Sequence, residues 1–206
     1  GPRYGVGSNA GDRLVVPTLR ALGGRLDALL LSHEDSDHTG GAEAVITQLA
    51  PAQVIGSLPP EWHLRYEALL PAGGVYRACV QGMAWDWDGV RFSILHPFGA
   101  GAASAAARPG RRESPNARSC VLRVQAGSGG AVAPLAGDLE KPQELQLVRR
   151  SPGELAADLL AVPHHGSKTS SSAAFLQAVS PRLAVAQAGY RNRFGHPAPE
   201  VAARYR

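Results

Sequence analysis

At residues 32–41 the chain reads Ser32-His33-Glu34-Asp35-Ser36-Asp37-His38-Thr39-Gly40-Gly41, directly after the apolar run 26–31. Four potential metal ligands lie within six residues of this stretch: His33, Asp35, Asp37 and His38. A buried strand is expected to end here and to open into a loop. The two glycines let the backbone wrap closely around a bound ion. This layout is typical of a metal site.

The ligand types narrow the kind of metal. Imidazole nitrogen and carboxylate oxygen together suit zinc, manganese or iron, whereas a set of thiolates would indicate a structural zinc site. No cysteine lies near the motif. The alternative interpretation is that these polar residues are solvated, or that they cap a helix that begins near Gly41.

Further polar residues follow three later apolar runs, each of which predicts a strand: 131–136, 155–162 and 183–188. Asp138 follows the first run, the pair His164-His165 follows the second, and His196 lies in the loop after the third. In an α/β sheet the carboxyl ends of parallel strands meet at one edge, where ligands usually bind. The sequence therefore predicts that these groups lie along one edge of a sheet.

In this order the motifs resemble those of the metallo-β-lactamase superfamily, whose signature is a His-x-His-x-Asp-His loop followed by isolated downstream ligands. In this chain Asp35 replaces the second histidine of that loop. With this replacement, four later motifs resemble the soluble C-terminal domain of the ComEC family of DNA-uptake proteins: Asn116-x-x-Ser119, Gly137-Asp138, Pro163-His164-His165-Gly166-Ser167 and Gly195-His196-Pro197. The resemblance extends over residues 1–206.

The resemblance implies an α/β fold, the metallo-β-lactamase-like αββα sandwich, built as a single domain over residues 1–206. Family members usually carry an N-terminal hairpin that would precede Gly1. The resemblance thus implies a fragment that lacks this hairpin and has an exposed sheet edge. Apolar periodicity agrees with alternating strands and helices. It predicts helices over 13–22, 42–49, 61–70, 140–150 and 171–179, further strands over 54–57, 75–80, 90–95 and 120–125, and a hairpin turn over 85–89.

For the metal centre, the resemblance implies two divalent ions and no organic cofactor. The implied ligands are His33 and Asp35 for one ion, Asp37, His38 and one histidine of the pair His164-His165 for the other, and Asp138 as a bridge. The family usually supplies a further histidine near the position of Asn116, and this chain has none there. With fewer imidazoles the site is harder, which favours manganese or magnesium beside zinc. Manganese and zinc are the expected metals, and magnesium is the alternative.

For the reaction, the resemblance implies a nuclease that degrades one DNA strand during uptake. Two metal ions can bind the attacking hydroxide and stabilise the leaving oxygen of a phosphodiester. His196 is the candidate proton donor, and Asp37 and Lys168 are further catalytic candidates. The candidate substrate-binding residues are Asn116, Ser119, Ser167 and Arg193. Alternatively, Ser167 caps the following helix and Arg193 is a solvated loop residue.

Two other functions fit the same residues. A fold does not determine a function, so hydrolysis of a thioester, lactam or lactone is an alternative. A DNA-guiding module without catalysis is another, and the missing histidine near Asn116 favours it. The net charge of +4 and the pI near 9.4 suit nucleic acid as a partner. The abundance of arginine, alanine and glycine fits biased codon usage equally well.

Composition and the resemblance together predict a location. In a chain of 206 residues, 44% hydrophobic residues are enough for one substantial core. No run approaches the roughly 20 apolar residues that span a bilayer, and no signal peptide is recognisable. The resemblance implies a soluble domain on the extracytoplasmic face of the bacterial inner membrane. Its implied partners are single-stranded DNA and a membrane-embedded channel portion of the same natural protein.

Three features lie outside the motifs. Residues 99–115, rich in small residues and arginine, predict a mobile surface loop, either a disordered insert or a DNA-contacting flap. Cys79 and Cys120 are too few and too far apart to indicate a disulfide framework, so they are expected to be small buried hydrophobes. His63 and His96 are expected to be ordinary structural or surface residues.

Overall fold

The structure, a computed structural model, describes residues 1–99 and 113–206. Most of the mobile loop expected over 99–115 lies outside these described residues. Within them, two compact units are distinguished, Gly1–Cys79 and Val80–Arg206. The single domain expected for the whole chain stays a prediction. In the described part of the chain, no helix has the length and apolar composition that crossing a membrane requires.

The first unit is built on a three-stranded parallel sheet. Its elements in chain order are β1 (Arg3–Gly5), β2 (Ser8–Asn9), a π-helical turn (Gly11–Val15), α1 (Val16–Ala21), β3 (Ala28–Leu31), α2 (Ser36–Thr39), α3 (Ala42–Leu49), β4 (Gln53–Gly56), α4 (Pro60–Glu67) and β5 (Val75–Ala78). Strands β3, β4 and β5 pair in that order, all parallel. β1 and β2 form a short antiparallel hairpin that sequence periodicity does not indicate. The absence of a family hairpin before Gly1 stays a prediction.

The parallel sheet places the motif loop directly after the end of β3. Leu31, the last residue of that strand, is buried in a core that also contains Ile46 and Val54. Helix α3 starts directly after Gly41, and a Cβ on this glycine would collide with the backbone of Gly11. Glycine is therefore required here by the close approach of two chain segments.

The second unit is built on a six-stranded mixed sheet. Its elements are β6 (Ala84–Trp87), β7 (Val90–His96), β8 (Val121–Ala126), β9 (Val132–Leu135), α5 (Lys141–Arg150), β10 (Leu159–Ala161), α6 (Ala173–Val179), β11 (Leu183–Val185), α7 (Pro199–Ala202) and four 3₁₀ turns (Asn116–Arg118, Pro152–Glu154, Pro163–Gly166 and Ala203–Tyr205). The spatial order is β11-β10-β9-β8-β7-β6. β6 to β9 are antiparallel neighbours, whereas β9, β10 and β11 are parallel. The carboxyl ends of these three strands therefore lie at the same edge of the sheet.

The core of the second unit joins this sheet to helices α5 and α6. Leu95 and Leu160 contribute from the strands, Leu147 contributes from α5, and Phe175 contributes from α6. Each of these side chains is at most 2% exposed. Burying a side chain of this size contributes roughly 1.5–3 kcal/mol, so the core fixes both helices that flank the candidate site.

The hairpin turn expected over 85–89 is too long. Its first three residues belong to β6, where Trp85 lies opposite Phe92 of β7, with ring centroids 5.3 Å apart. Such aromatic cross-strand pairs stabilise antiparallel strands. The turn consists of Asp88 and Gly89, whose φ angles of 48° and 79° are those of a tight two-residue hairpin turn.

The cysteines also differ from the expectation. Cys79 and Cys120 are 3% and 1% exposed, as small buried hydrophobes would be. However, neither is a free thiol, and both are disulfide-bonded. The number and spacing of cysteines along the chain do not determine whether they form disulfides, because disulfide formation depends on geometry in space.

Candidate metal centre

The motif loop of the first unit is held by backbone and side-chain hydrogen bonds. Asp35 has extended backbone angles and immediately precedes α2. Its carbonyl oxygen accepts hydrogen bonds from the amides of His38 and Thr39 at 2.9 and 3.0 Å. The Thr39 hydroxyl donates to the carbonyl oxygens of Glu34 and Asp35 at 3.1 and 3.0 Å. The loop is thus a defined turn that presents its acidic and imidazole side chains together.

Ser32 orients both imidazoles of this loop. Its Oγ lies 3.0 Å from Nδ1 of His33 and 3.0 Å from Nδ1 of His38. A hydroxyl oxygen has two lone pairs, so it can accept hydrogen bonds from both Nδ1–H groups. In that state both Nε2 atoms carry lone pairs that can bind a metal, as in metal sites where a protein group fixes the histidine tautomer.

The carboxylates of the motif face those Nε2 atoms. Nε2 of His33 is 3.6 Å from Oδ2 of Asp35, and Nε2 of His38 is 3.6 Å from Oδ2 of Asp37. These separations exceed a normal hydrogen bond. They approach the spacing of roughly 3.4 Å between two ligands that each lie about 2.1 Å from one tetrahedral ion. The residues present therefore fit a divalent ion.

In the second unit, Asp138 lies at the end of β9. Gly137, with φ of 54°, lets the chain turn sharply before it, and the Gly137 carbonyl accepts a hydrogen bond from the His164 amide at 3.0 Å. Oδ2 of Asp138 is 3.7 Å from Nε2 of His164 and 3.5 Å from Nε2 of His165. The sheet edge thus brings Asp138 close to a pair of histidines that lies 26 residues further along the chain.

The two adjacent histidines are held in an unusual backbone conformation. His164 and His165 have φ angles of 49° and 53° within the turn Pro163–Gly166. Residues other than glycine rarely adopt this left-handed region, which costs about 1–2 kcal/mol per residue. Strain of this kind clusters at functional sites, because the surrounding structure must enforce it.

The partners of the two imidazoles distinguish their roles. Nδ1–H of His165 donates to the carbonyl oxygen of Gln187 at 2.8 Å, which leaves Nε2 with its lone pair. His164 instead has Nδ1 at 3.1 Å from Oγ1 of Thr169 and Nε2 at 3.4 Å from Nδ2 of Asn116. Histidines that bind a metal usually donate their other ring N–H to a carboxylate, a backbone carbonyl or water. The geometry therefore favours His165 over His164 as the ligand.

Ser119 and His96 lie beneath Asp138. Ser119 is completely buried, and its Oγ accepts a hydrogen bond from the Asp138 amide at 3.0 Å. Nδ1 of His96 donates to the Ser119 carbonyl oxygen at 2.8 Å, and burial lowers the pKa of His96. Ser119 was expected to contact substrate. That role stays a prediction, and in the structure Ser119 supports the backbone of Asp138. His96 is part of the same support, although its sequence context gave no sign of it.

Ser167, an expected substrate contact, and Lys168, a catalytic candidate, also contact other residues of the protein. Ser167 is 8% exposed, and its Oγ lies 3.2 Å from Oγ1 of Thr169. It does not cap the next helix, because Ser172 occupies that position and accepts from the Phe175 amide. The Lys168 ammonium is exposed and lies 3.0 Å from the carboxylate of Glu200, whose pKa it lowers.

A buried carboxylate holds the segment that follows the histidine turn. Glu144 of α5 is fully buried and accepts hydrogen bonds from the amides of Ser171 and Ser172 at 2.5 and 2.7 Å. Burial raises its pKa. The hydroxyl of Ser171 also lies 2.8 Å from that of Tyr205. These contacts anchor the segment between the histidine turn and α6, and no local pattern in the sequence predicts them.

His196 lies in a loop that reaches the same edge. Its ring centroid is 6.1 Å from that of His164. Burial, and then the neighbouring His164 and His165, lower the pKa of His196, while Asp138 opposes them. The Ala198 amide donates to the Gly166 carbonyl oxygen at 2.9 Å, which ties the end of this loop to the histidine turn. Arg193, in the same loop, is exposed, as both of its interpretations require.

Comparison with known proteins shows which family the chain resembles. Competence protein ComA of Neisseria gonorrhoeae is 40% identical over 205 residues, which cover 93% of this chain and 24% of that protein. ComE operon protein 3 of Bacillus subtilis (strain 168) is 31% identical over 198 residues, which cover 93% of this chain and 24% of that protein. The chain thus spans about a quarter of the length of these curated relatives.

A solved structure and a family model complete the comparison. A metallo-beta-lactamase HARLDQ motif mutant from Cronobacter sakazakii is 17% identical, with a TM-score of 0.45 over 81% of this chain and 76% of the other. The model of the metallo-beta-lactamase superfamily matches residues 7–189. This match confirms the expected α/β fold class and the resemblance that the motifs indicate. The chain belongs to the metallo-β-lactamase superfamily.

Proposed function

We propose that this chain is a metal-dependent phosphodiesterase that cleaves DNA during its uptake. One observation carries the proposal: four histidines have Nδ1 near a protein oxygen and Nε2 near a carboxylate, namely His33, His38, His164 and His165. Membership of a superfamily of hydrolases supports hydrolysis. A relative named as a competence protein supports DNA as the substrate. The net charge of +4 agrees with a polyanionic substrate.

The proposed cofactors are two divalent ions, manganese or zinc first and magnesium as an alternative. The first unit offers His33, Asp35, Asp37 and His38 as ligands, and the second offers Asp138 with His165. When bound, such ions lower the pKa of a coordinated water and neutralise charge on a phosphate. Asn116 stands where the family usually supplies a histidine. An amide in place of an imidazole favours the harder metals manganese and magnesium.

The chain's own side chains have further proposed roles. His196 donates a proton to the leaving oxygen or binds a phosphate. Asn116 holds a neighbouring imidazole through its Nδ2 atom. Arg193 is exposed and neutralises a phosphate oxygen. Lys168 does so less effectively, because its ammonium is already paired with Glu200.

We further propose that the chain is a domain of a longer membrane protein, on the extracytoplasmic face of the bacterial inner membrane. Its relatives are about four times as long, which leaves room for a membrane-embedded channel portion. The disulfide-bonded state of Cys79 and Cys120 supports an oxidising compartment. Disulfides persist in such compartments and are rare in the cytosol.

The proposal is tested by nucleotide release from single-stranded DNA, with Mn²⁺, Mg²⁺ or Zn²⁺ supplied separately. Asp138→Asn retains the size of the side chain and removes its charge. It is expected to lower release by more than roughly 100-fold while DNA affinity is retained. The matched control is Asp86→Asn, which alters an exposed carboxylate paired with Arg91 and is expected to have no effect.

Other outcomes separate the alternatives. If no ion supports release although the protein folds and binds metal, the nuclease proposal is wrong. Hydrolysis of a thioester or lactone would then assign acyl hydrolysis to the same residues. Affinity for DNA without hydrolysis of either substrate class would assign a DNA-guiding module.

A further inference from the structure

The loop after β11 presents two large aromatic side chains to solvent. Tyr190 is 90% exposed and Phe194 is 67% exposed. Each could bury a large apolar area, and aromatic rings dominate the energetics of most binding surfaces. None of the roles proposed above uses either ring.

Each ring has an arginine guanidinium over one of its faces. The guanidinium carbon of Arg191 is 5.3 Å from the ring centroid of Tyr190, and that of Arg193 is 4.7 Å from the centroid of Phe194. The wider segment 159–199 contains four cationic side chains and no carboxylate. The loop therefore combines flat apolar surfaces with positive charge. This combination is typical of sites that bind single-stranded nucleic acid.

The loop is held in place rather than free. The side chain of Asn192 donates to the carbonyl oxygens of Gly189 and His196 at 3.0 and 2.6 Å, and it accepts from the His196 amide at 3.0 Å. One side chain thus braces both ends of the loop. A braced loop loses less conformational entropy when a ligand binds.

The loop also adjoins the candidate metal centre of the second unit. The ring of Phe194 is nearly parallel to that of His196, with centroids 5.7 Å apart and an interplanar angle of 16°. His196 in turn lies 6.1 Å from His164, between centroids. A base that stacks on Phe194 would place its own phosphate close to His196 and Arg193.

We propose that Tyr190 and Phe194 form a stacking site for unpaired nucleobases, with Arg191 and Arg193 on the adjoining phosphates. This inference rests on the proposed function and specifies its substrate class as single-stranded nucleic acid. The bases of a duplex are already stacked on each other, so they cannot offer their faces to these rings. Every base has a flat face, so the site tolerates any sequence.

The test compares three fluorescent oligonucleotides of equal length: a single strand, the same strand with abasic sites, and a duplex. Affinities are measured by anisotropy in EDTA, so that cleavage does not contribute. Tyr190→Ala and Phe194→Ala are each expected to weaken binding of the base-containing strand by roughly 5- to 100-fold, the loss of one base stack. Binding of the abasic strand should change by less than about 2-fold.

Three variants serve as controls. Tyr190→Trp keeps a flat ring and is expected to retain affinity. Arg193→Ala removes a phosphate contact and should weaken binding of the base-containing and abasic strands equally. Tyr4→Ala removes another exposed tyrosine that has an arginine over its ring, at 5.8 Å, and should change neither.

The inference is overturned if the protein binds the base-containing and abasic strands equally, or binds neither. It is also overturned if the alanine variants lose affinity for anionic lipid vesicles but not for the strand, since the rings would then be membrane anchors. Base-dependent binding without nucleotide release would keep the stacking site and reject the nuclease. Unchanged binding in the alanine variants of an active nuclease would reject the stacking site alone.

Discussion

The two groups of candidate site residues are built in opposite ways. In the first unit, all the ligands lie within residues 33–38, and the hydroxyl of Ser32 contacts both imidazoles. In the second unit, Asp138, His165 and His196 follow separate strands of one sheet. Asp138 and His165 have partners from other parts of the chain, Ser119 and Gln187, and His196 is held by Asn192 of its own loop.

This difference has consequences for robustness. A local motif requires little tertiary structure, but it depends on the single side chain that orients it. A distributed group spreads its support over many hydrogen bonds, so the loss of one is tolerated better. It depends instead on the backbone geometry that brings the strand ends and their loops together. Substitutions can therefore test the two designs separately.

The largest effect is expected where the backbone of the distributed group is most constrained. Gly166 has φ of 82°, and a Cβ there would lie 2.5 Å from Cβ of Pro197. Gly166→Ala would combine left-handed strain with a clash between the histidine turn and the His196 loop. We expect the free energy of unfolding to fall by about 2–4 kcal/mol, measured by urea denaturation.

Gly153→Ala is the matched control, because its Cβ would meet no atom within 4 Å and its φ is not positive. It should change the free energy of unfolding by less than about 0.5 kcal/mol. If Gly166→Ala were as stable as this control, the distributed group would not depend on the close approach of the two segments.

In the local group of residues 33–38, metal affinity is expected to depend most strongly on the hydroxyl of Ser32. Ser32→Ala removes the hydroxyl that faces Nδ1 of both His33 and His38, so both rings can rotate and change tautomer. Loss of such an orienting partner lowers metal affinity by about 10- to 100-fold. Isothermal titration of the metal-free protein with Mn²⁺ and with Zn²⁺ measures this change directly.

Two neighbouring variants sharpen the result. Ser32→Thr keeps a hydroxyl and is expected to retain most of the affinity. Ser36→Ala removes a hydroxyl from the same loop and should have little effect. Equal affinities for Ser32→Ala, Ser36→Ala and the parent protein would contradict the orienting role of Ser32.

The same contrast between a local and a distributed group explains which parts of the site can be predicted from the sequence. The motif loop could be recognised in the sequence because its candidate ligands are close neighbours and follow an apolar run that forms β3. The edge formed by β9, β10 and β11 could be predicted because polar residues follow each of these strands in the sequence. Apolar periodicity also located the longer helices. The order of the strands within each sheet required the structure.

The supporting residues could not be predicted from the sequence, because their partners are distant in the chain. Glu144 contacts residues 171 and 172, and His165 contacts Gln187, through folds of the backbone that no local pattern encodes. His96 carries no motif of its own. The choice between His164 and His165 also depended on such partners, since the two residues are adjacent in sequence and differ only in what they contact.

Substitution of Ser119 is expected to have the smallest effect on stability. It also distinguishes most clearly between a supporting role and a substrate contact. The sequence suggested a phosphate contact, whereas the structure shows a buried acceptor for the Asp138 amide. Ser119→Ala would leave that buried amide without this acceptor, which costs about 1–2 kcal/mol of unfolding free energy. Ser114→Ala removes an exposed hydroxyl that accepts from the Ala117 amide, and water can replace that bond. A support role predicts lower stability for Ser119→Ala alone, whereas a substrate contact predicts a higher KM for DNA at unchanged stability.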